Sequence, residues 1–392
     1  MTIDPRILSL KDEVKAWRRD FHENPEIGYE VHRTARIVAE KLRAFGCDEV
    51  VESIGRTGVV GLIHGRNGPG GRVVGLRADM DALPISEETN LPHASKISGK
   101  MHACGHDGHT ATLLGAAKFL ATTREFEGSV AVIFQPAEEG GAGGKAMVDD
   151  GMMERFGILE VYGMHNMPGM AAGAFAMCPG PIMAAADQFI IQIEGKGAHA
   201  AQPHQGIDPV LIGGHLLTAL QSIASRNADP LKSVVVSTTM FHAGTAFNII
   251  PQRAELTGTV RTLEASVRDM AEGRMRDIVA GLAKMFGAEI SLDYQRGYPA
   301  TVNAARETRH AADAARFVAG NAGVNDEAAP LMGGEDFSYM LEARPGSYVF
   351  IGNGETAGLH HPAYDFNDEI LPAGMQYWAE IARARTASNA AK

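Results

Sequence analysis

Apolar residues near the start of the chain recur in steps of three and four, the spacing of an amphipathic helix. They are Ile7, Leu10, Val14, Trp17 and Phe21, and the pattern stops at Asn24-Pro25-Glu26. A second pattern of this kind covers residues 30–45, and Gly46 is placed to end that helix. Both segments are predicted to be helices that pack against a core, the first running on from Pro5 without a break.

Short apolar runs predict strands, and several of them end in polar side chains. Residues 58–63 and 72–77 are two such runs, and the turn-forming residues 67–71 between them predict that they pair as a hairpin. The second run leads directly into Asp79-Met80-Asp81. Residues 129–134 are predominantly apolar, as in a strand buried on both faces, and Glu138-Glu139 follows them.

Later runs show the same arrangement of an apolar strand followed by a metal-binding type of side chain. Residues 158–162 lead to a loop with His165, and a strand at 347–351 leads to a loop with His360-His361. Because polar groups beyond the carboxyl ends of strands gather at one edge of an α/β sheet, these loops predict a shared cleft. An amphipathic helix over residues 372–385 is predicted to close the chain.

The segment His102-Ala-Cys-Gly-His-Asp107 contains the side chains best suited to a metal site. Thiolate and imidazole bind borderline divalent ions well, and here Cys104 and His106 flank the flexible Gly105. A buried cysteine and a hydrogen-bonded histidine also share loops without any ion, so this segment alone leaves both interpretations open. The same is true of Glu138-Glu139, which is either a solvated pair or two acids whose repulsion a cation relieves.

From residue 188 the order of elements changes to strand, helix, strand, strand, helix, strand, which is the ferredoxin-like arrangement. Since 392 residues exceed what one core usually holds, we predict an α/β protein of two domains. Residues 1–186 and 298–392 form one discontinuous domain, and residues 187–297 are inserted into it. The insert carries His199 and Asn248 in connections bounded by Gly and Pro, where a helix cap and a turn are the simpler roles.

The overall charge excludes some classes of partner. The formal net charge is −11, which argues against nucleic acid and anionic membrane surfaces. No apolar run is long enough to span a bilayer, and the three cysteines are too few for a disulfide framework. We therefore expect a cytoplasmic protein.

With these motifs assembled, the chain resembles the metal-dependent aminoacylase and carboxypeptidase family, in the branch of hippurate hydrolases and indoleacetyl-amino-acid hydrolases. The matching segments lie in the family's order and span nearly the whole chain: LRADMDALP (76–84), MHACGHDGHTA (101–111), QPAEEGGAGG (135–144), GMHN (163–166), GKGAHAAQPHQGIDPV (195–210), NIIP (248–251), MGGEDFS (332–338) and LHHPAYDFND (359–368). Any one of them would be a weak signal, whereas the set is specific.

The resemblance implies a mixed-sheet catalytic domain of the zinc-exopeptidase type that binds two divalent ions, Zn²⁺ or Mn²⁺, with Co²⁺ or Ni²⁺ as further choices. It also implies that the inserted ferredoxin-like domain is a lid through which a homodimer or homotetramer forms. The metal ligands carried over from the family are Cys104, His106, Glu139, His165 and His360. His360 is preferred to His361 because the family's ligand directly follows the Leu and lies two positions before the Pro.

The resemblance also assigns the remaining roles. Glu138 is the expected general base, Asp81 the acid that orients the catalytic groups, and His199 the stabiliser of the oxyanion, in its own subunit or across the dimer. Asn248 and Arg261 are the candidates for binding the substrate's free carboxylate, although an arginine at a strand end is often a surface ion-pair partner. One departure is Asp79, which stands where the broader family has a histidine ligand, and Cys104 is expected to share the bridging role.

The predicted function is hydrolysis of the amide bond of N-acyl amino acids, such as hippurate or N-acetyl-amino acids. The metals are expected to polarise the carbonyl and to lower the pKa of water from about 15.7 toward about 7. Two alternatives stay open. One is a thiol hydrolase with Cys104 as nucleophile and His106 as base, and the other is a protein of the same fold that binds metal without turnover.

Overall fold

The computed structural model describes residues 1–387. The chain divides into two compact units. The first unit comprises Met1–Ile182, Val302–Ala329 and the chain from Asp336 onward, and the second comprises Met183–Thr301 and Pro330–Glu335.

The bounds of the elements follow in chain order. The strands in residues 1–387 are β1 (Glu49–Ile54), β2 (Gly58–His64), β3 (Val73–Asp79), β4 (Ser129–Gln135), β5 (Ile158–Pro168), β6 (Phe175–Ala176), β7 (Gly180–Met183), β8 (Ala185–Glu194), β9 (Ala198–His199), β10 (Val234–Ala243), β11 (Ile249–Ile250), β12 (Arg253–Thr262), β13 (Glu289–Tyr298), β14 (Thr301–Asn303), β15 (Val324–Asn325) and β16 (Gly346–Gly354). The α-helices there are α1 (Pro5–Leu8), α2 (Lys11–Glu23), α3 (His32–Phe45), α4 (His106–Thr123), α5 (Glu138–Gly141), α6 (Gly143–Asp149), α7 (Met152–Arg155), α8 (Pro209–Ser222), α9 (Ala265–Phe286), α10 (Ala305–Ala319), α11 (Ser338–Ala343) and α12 (Leu371–Thr386).

The first unit is built on a mixed sheet of eight strands within the described chain, in the order β1-β2-β4-β3-β5-β16-β6-β15. Its centre is parallel, because β3 pairs in parallel with β4 and β5, and β16 pairs in parallel with β5. The predicted double burial of the apolar run in β4 is confirmed, since every residue from Val130 to Phe134 is 0% exposed. The predicted α/β class with a mixed sheet is confirmed as well.

The predicted hairpin of β2 and β3 is wrong. β4 lies between these strands, antiparallel to β2 and parallel to β3. The Gly-rich turn at residues 67–71 reverses the chain as expected. However, a strand that is apolar on both faces is most stable at the centre of a sheet, so β4 takes the position between the other two.

Two helix predictions also need correction. The helix expected to run on from Pro5 is split into α1 and α2, because the Ser9 hydroxyl donates a hydrogen bond to the Arg6 carbonyl where α1 ends. The last helix, α12, is not amphipathic but buried on almost all sides, with Trp378 only 1% exposed. The predicted end of α3 is confirmed, since Gly46 caps it at φ +82°.

Helix α4 lies at the centre of the helical layer, and glycines on α4 and α12 allow these two helices to pack closely. A Cβ at Gly115 would come within 2.3 Å of the Met375 sulfur on α12, and one at Gly374 within 2.6 Å of the Thr112 side chain. This close packing holds α4, whose first turn carries His106, against α12.

The second unit has the predicted ferredoxin-like arrangement. Its sheet has the order β10-β12-β8-β13 with every pair antiparallel. Helices α8 and α9 pack on one face around a core that includes Phe189, Ile191, Leu216, Leu256 and Met275. Strand β10 is an edge of this sheet. Among residues 1–387, no helix combines the length and the apolar character that crossing a bilayer requires.

Candidate metal centre

The parallel strands of the first unit deliver polar side chains to one edge of the sheet. β3 ends at Asp79, β4 is followed by Glu138 and Glu139, and the chain after β16 reaches His360. His165 does not lie in a loop after β5, as predicted, but within the strand, because β5 continues to Pro168 alongside β16. The central edge of the sheet therefore provides a cluster of acids and imidazoles.

The structure brings the five predicted metal ligands together around the Cys104 sulfur. The ligand atoms of Cys104, His106 and His165 lie within 4.8 Å of one another, and so do those of Cys104, Glu139 and His360. The Cys104 Sγ is 3.3 Å from His165 Nε2. Two three-residue groups that share a thiol are an arrangement suited to two neighbouring ions.

The hydrogen bonds of two histidines leave their metal-binding nitrogens available. His106 Nδ1 donates to the Asp81 carbonyl at 2.8 Å, and His165 Nδ1 donates to the Asn166 carbonyl at 2.7 Å. His106 Nε2 is buried and has no hydrogen-bond partner among residues 1–387. Metal-binding histidines are usually held through their other nitrogen in this manner, so the donor set fits divalent ions.

The structure also distinguishes the two neighbouring histidines of the last loop. His360, at φ +61°, places its Nε2 3.1 Å from Glu139 Oε1. His361 instead accepts a hydrogen bond from the Ala363 backbone N–H through Nδ1 at 3.0 Å, which is a local turn contact. His360 thus joins the cluster, and no cluster of potential ligands in residues 1–387 includes His361.

Asp81 holds the turn that carries the two glutamates. Its Oδ1 accepts the backbone N–H of Glu138 at 2.9 Å, and its Oδ2 accepts that of Glu139 at 3.1 Å. The turn begins with Ala137 in the left-handed region at φ +53°. Because both oxygens of Asp81 are engaged with backbone donors, this carboxylate fixes the direction in which Glu138 and Glu139 point.

Electrostatics within the cluster depend on burial and on mutual pairing. Burial lowers the pKa of His165 well below its ordinary value, which keeps the ring neutral, and burial raises the pKa of the Cys104 thiol. Hydrogen bonds to Cys104 and Glu139 raise the pKa of His360 to about 10. Burial acts to raise the pKa of Glu139, but the hydrogen bond with His360 and the charges of His106 and His360 together outweigh it, so the net direction is downward. Protonated His360 is therefore the positive charge beside Glu139 in this cluster.

Two residues near the ligands were not assigned a role from the sequence. His109 is 3% exposed, and its Nδ1 lies 2.6 Å from Asp79 Oδ1. Asp79 is fully buried and also accepts a hydrogen bond from Arg77 Nη1 at 2.6 Å. The sequence signal was present, since His109 lies one helical turn after His106, on the same face of α4.

The second unit contains the other three predicted site residues. His199 and Asn248 are both exposed, and they lie close to each other in space. Strand β9, which contains His199, pairs with β11, and the Ala200 N–H donates to the Asn248 carbonyl at 3.1 Å. The alternative that His199 caps the next helix is wrong, because Asp208 caps α8. Arg261 is partly buried and donates to the Thr259 hydroxyl at 2.7 Å.

Comparison with known proteins places the chain among metal-dependent hydrolases. The model of peptidase family M20/M25/M40 matches residues 75–384. The hippurate hydrolase of Campylobacter jejuni is 42% identical over 382 residues, covering 97% of this chain and 99% of that protein. The N-acetylcysteine deacetylase of Bacillus subtilis is 41% identical over 370 residues, covering 93% and 94%. The crystal structure of a dinuclear metal-binding peptidase of the M20 family from Bacillus subtilis has a TM-score of 0.84 at 36% identity, covering 97% of this chain and 99% of that one.

Proposed function

Because the chain belongs to peptidase family M20/M25/M40, we propose that it hydrolyses the amide bond between an acyl group and an amino acid with the help of two divalent metal ions. The family resemblance predicted from the motifs is confirmed. Hippurate and N-acetylcysteine, which appear in the names of two relatives, are both N-acyl amino acids. The observation that carries the proposal is the convergence of four other potential ligands on Cys104.

The proposed ligands fall into the two groups that share Cys104. His106 and His165 lie with Cys104 in one group, and Glu139 and His360 lie with it in the other. A set of thiolate, imidazole and carboxylate donors suits Zn²⁺, and Mn²⁺, Co²⁺ and Ni²⁺ are the alternatives that reconstitution distinguishes. When bound, such ions polarise the scissile carbonyl and make water more acidic.

Glu138 is the proposed general base. It is buried, at 7% exposure, and Asp81 fixes the direction of its backbone. From this position its carboxylate takes a proton from the attacking water and returns it to the amine as the amide bond breaks. Asp81 acts as a positioning residue, since both of its oxygens are engaged by the backbone of the turn.

The second unit is proposed to be the lid that binds substrate. His199 stabilises the oxyanion, and Asn248 and Arg261 bind the free carboxylate of the amino-acid half. Within residues 1–387, Nη1 of Arg261 donates to the Thr259 hydroxyl, and burial lowers the pKa of the guanidinium. Its guanidinium therefore keeps donors for a substrate carboxylate, which it can bind through two parallel hydrogen bonds.

The thiol-hydrolase alternative is less well supported. Thiolate is the reactive form of cysteine, and burial raises the pKa of Cys104 despite the neighbouring His106. A chelator should abolish hydrolysis by the proposed enzyme, and Zn²⁺ or Mn²⁺ should restore it. Inactivation by iodoacetamide together with full activity in the presence of chelator would support the thiol mechanism instead.

The main test is the pair of variants Glu138→Gln and Glu139→Gln. Protein reconstituted with each metal is assayed on hippurate, N-acetyl-amino acids, N-acetyl-diaminopimelate and indoleacetyl conjugates. Glu138→Gln is expected to bind both ions but to lose about 10²- to 10⁴-fold in kcat, the usual range for a general base. Glu139→Gln is expected to lose metal. Wild-type kcat in Glu138→Gln, or no hydrolysis of any of these compounds by the wild type, would overturn the proposal.

We also propose that two copies associate through the second unit as a homodimer or a homotetramer. Edge strand β10 leaves its backbone unpaired on one side and exposes apolar side chains, with Met240 48% and Val235 37% exposed. An unprotected apolar edge is a template for pairing with another strand. A cytoplasmic location is consistent with three cysteines that are all free of disulfides.

A further inference from the structure

His109 is a buried polar group that the proposed mechanism does not use. Its two ring nitrogens face in opposite directions along a chain of hydrogen bonds. Nδ1 lies 2.6 Å from Asp79 Oδ1, and because a carboxylate only accepts, Nδ1 carries the hydrogen of this bond. Nε2 faces Asn166, 3.1 Å from its backbone nitrogen and 2.8 Å from its Oδ1.

Both contacts of Nε2 anchor the same residue. The backbone nitrogen and the side-chain oxygen of Asn166 both lie within hydrogen-bond distance of this ring nitrogen. The Asn166 side chain is held at its other end as well, since its Nδ2 donates to the Tyr364 hydroxyl at 2.5 Å. Asn166, Tyr364 and Asp79 are all fully buried, so water does not compete for these bonds.

Asn166 in turn fixes a proposed metal ligand. Its carbonyl accepts the Nδ1–H of His165 at 2.7 Å, which leaves the lone pair of His165 on Nε2, the atom 3.3 Å from the Cys104 sulfur. The His109 ring also packs edge-on against the His165 ring, with 4.5 Å between their centroids. His109 therefore constrains both the tautomer and the tilt of His165.

Asp79 is the fixed end of this chain. Its Oδ1 is paired with His109, and its Oδ2 accepts Arg77 Nη1 at 2.6 Å. Arg77 is anchored in turn, with Nη2 3.1 Å from Asp336 Oδ1 and Nε 2.9 Å from Gln135 Oε1. Both oxygens of Asp79 therefore have partners within the protein, so the carboxylate supports His109, and its ligand oxygen also lies within 4.8 Å of the ligand nitrogens of His106 and His109.

We propose that Asp79 and His109 form a positioning pair that sets the tautomer and orientation of His165, and thereby the affinity for the ion that His165 holds. This inference rests on the proposed metal-dependent function. The proposal assigns a positioning role to each of the two acids, Asp79 and Asp81. Asp81 holds His106 through its carbonyl and the glutamate turn through its carboxylate, and Asp79 holds His165 through His109 and Asn166.

The first experiment uses metal-free protein and needs no substrate. Long-range ¹⁵N–¹H spectra of the histidine rings are expected to show His165 as a single Nδ1–H tautomer in the wild type. In His109→Leu, which keeps a buried side chain but removes both hydrogen bonds, we expect the His165 signals to show a mixture of tautomers. An unchanged Nδ1–H tautomer in this variant would overturn the proposal.

The second experiment measures the affinity for each of two Zn²⁺ or Co²⁺ ions by competition with a chelator. His109→Leu is expected to weaken one ion by about 10- to 100-fold, the usual effect of removing a residue that supports a ligand. The other ion should change by less than about threefold. The Co²⁺ form should also show an altered visible absorption spectrum, which reports coordination geometry independently of turnover. Wild-type affinities and an unchanged spectrum would contradict the proposal.

Two further variants separate positioning from a general loss of structure. Asp79→Asn keeps an acceptor oxygen for His109 and is expected to shift the same ion's affinity in the same direction by a smaller factor, so it tests the pair even if His109→Leu does not fold. His102→Leu is the matched control, because His102 is 1% exposed in the same segment and neither ring nitrogen has a hydrogen-bond partner. It should leave both affinities unchanged, and equal losses in His102→Leu and His109→Leu would refute a specific role. Since neither readout uses a substrate, failure here is distinguishable from failure of the proposed activity.

Discussion

Gly105, between the proposed ligands Cys104 and His106, provides the sharpest test of the site geometry. Its φ of +92° is in the region that favours glycine, and a Cβ at this position would lie 2.2 Å from Asn166 Oδ1 and 2.6 Å from the Tyr364 hydroxyl. Neither neighbour can move easily, because both are fully buried and hydrogen-bonded to each other. In Gly105→Ala the backbone conformation costs about 1–2 kcal/mol, and the overlap adds about 1–3 kcal/mol. We expect a total loss of about 2–5 kcal/mol in the free energy of unfolding.

The assay is urea unfolding of metal-free protein followed by circular dichroism, with Gly99→Ala as the matched control. Gly99 has a similar positive φ of +73°, but a Cβ there would meet no atom within 4 Å. Gly99→Ala should therefore show only the conformational cost of about 1–2 kcal/mol. The difference between the variants isolates the overlap with Asn166 and Tyr364.

The same variants are then titrated with metal. Displacement of Asn166 by the new methyl group should also disturb His165, so Gly105→Ala is expected to bind metal more weakly than Gly99→Ala does. Equal losses in the free energy of unfolding and equal metal affinities in the two variants would refute both the close approach of Gly105 to Asn166 and the tight packing of this loop.

Two further predictions concern pH and association. Burial opposes protonation of His22, but Asp107 and Glu87 outweigh it and raise the pKa of His22 from 6.5 to about 9. Protonated His22 contributes about 3 kcal/mol to the free energy of unfolding, at about 1.4 kcal/mol for each pH unit between these pKa values. This contribution is complete below pH 6.5 and disappears as the pH rises through 9. The difference in unfolding free energy between wild type and His22→Gln should therefore shrink between pH 6 and pH 10, and a difference independent of pH would contradict the charge pairing. For association, Met240→Lys on β10 should shift sedimentation toward monomer, whereas Met285→Lys, at a position 71% exposed on α9, should not; an unchanged oligomer in Met240→Lys would exclude the β10 edge as the interface.

Local sequence patterns predicted the parts of the fold that depend on local physics. Helix periodicity predicted α3 and its glycine cap, and the alternation of elements predicted the ferredoxin-like unit. The pairing of strands that are far apart in the sequence was harder to predict. Turn residues 67–71 indicated a hairpin, but the partners of β2 and β3 are decided by the strand that most needs burial, and that strand, β4, lies more than 50 residues further along the chain. Short-range turn chemistry does not contain this information.

The candidate site shows the same division. Residue types and their positions along the chain were enough to single out Cys104 and the pairs Glu138-Glu139 and His360-His361. The family resemblance then chose Glu139 and His360, whose roles as ligands remain predictions. The support for these residues was not visible, because the hydrogen bonds of His109 join residues 30 and 57 positions away in the sequence. A buried histidine on the face of α4 that carries His106 was the available signal. It did not indicate which acid would be its partner.

Hydrogen bonding offers a physical criterion for separating ligands from supports when acids and histidines are crowded together. A buried carboxylate whose oxygens both pair with backbone donors and that lies in no cluster of potential ligands is a support, and within residues 1–387 this holds for Asp81. Asp79 pairs both of its oxygens with side chains but also lies beside His106 and His109. A buried imidazole nitrogen that has no partner within residues 1–387 and lies beside other potential ligands is available to an ion, and this holds for His106 Nε2 but not for His102, which belongs to no such cluster. On the proposal above, Asp79 holds His165, a proposed ligand, through His109 and Asn166. Asp79→Asn should accordingly weaken metal binding without removing either ion, whereas loss of His106 should remove one.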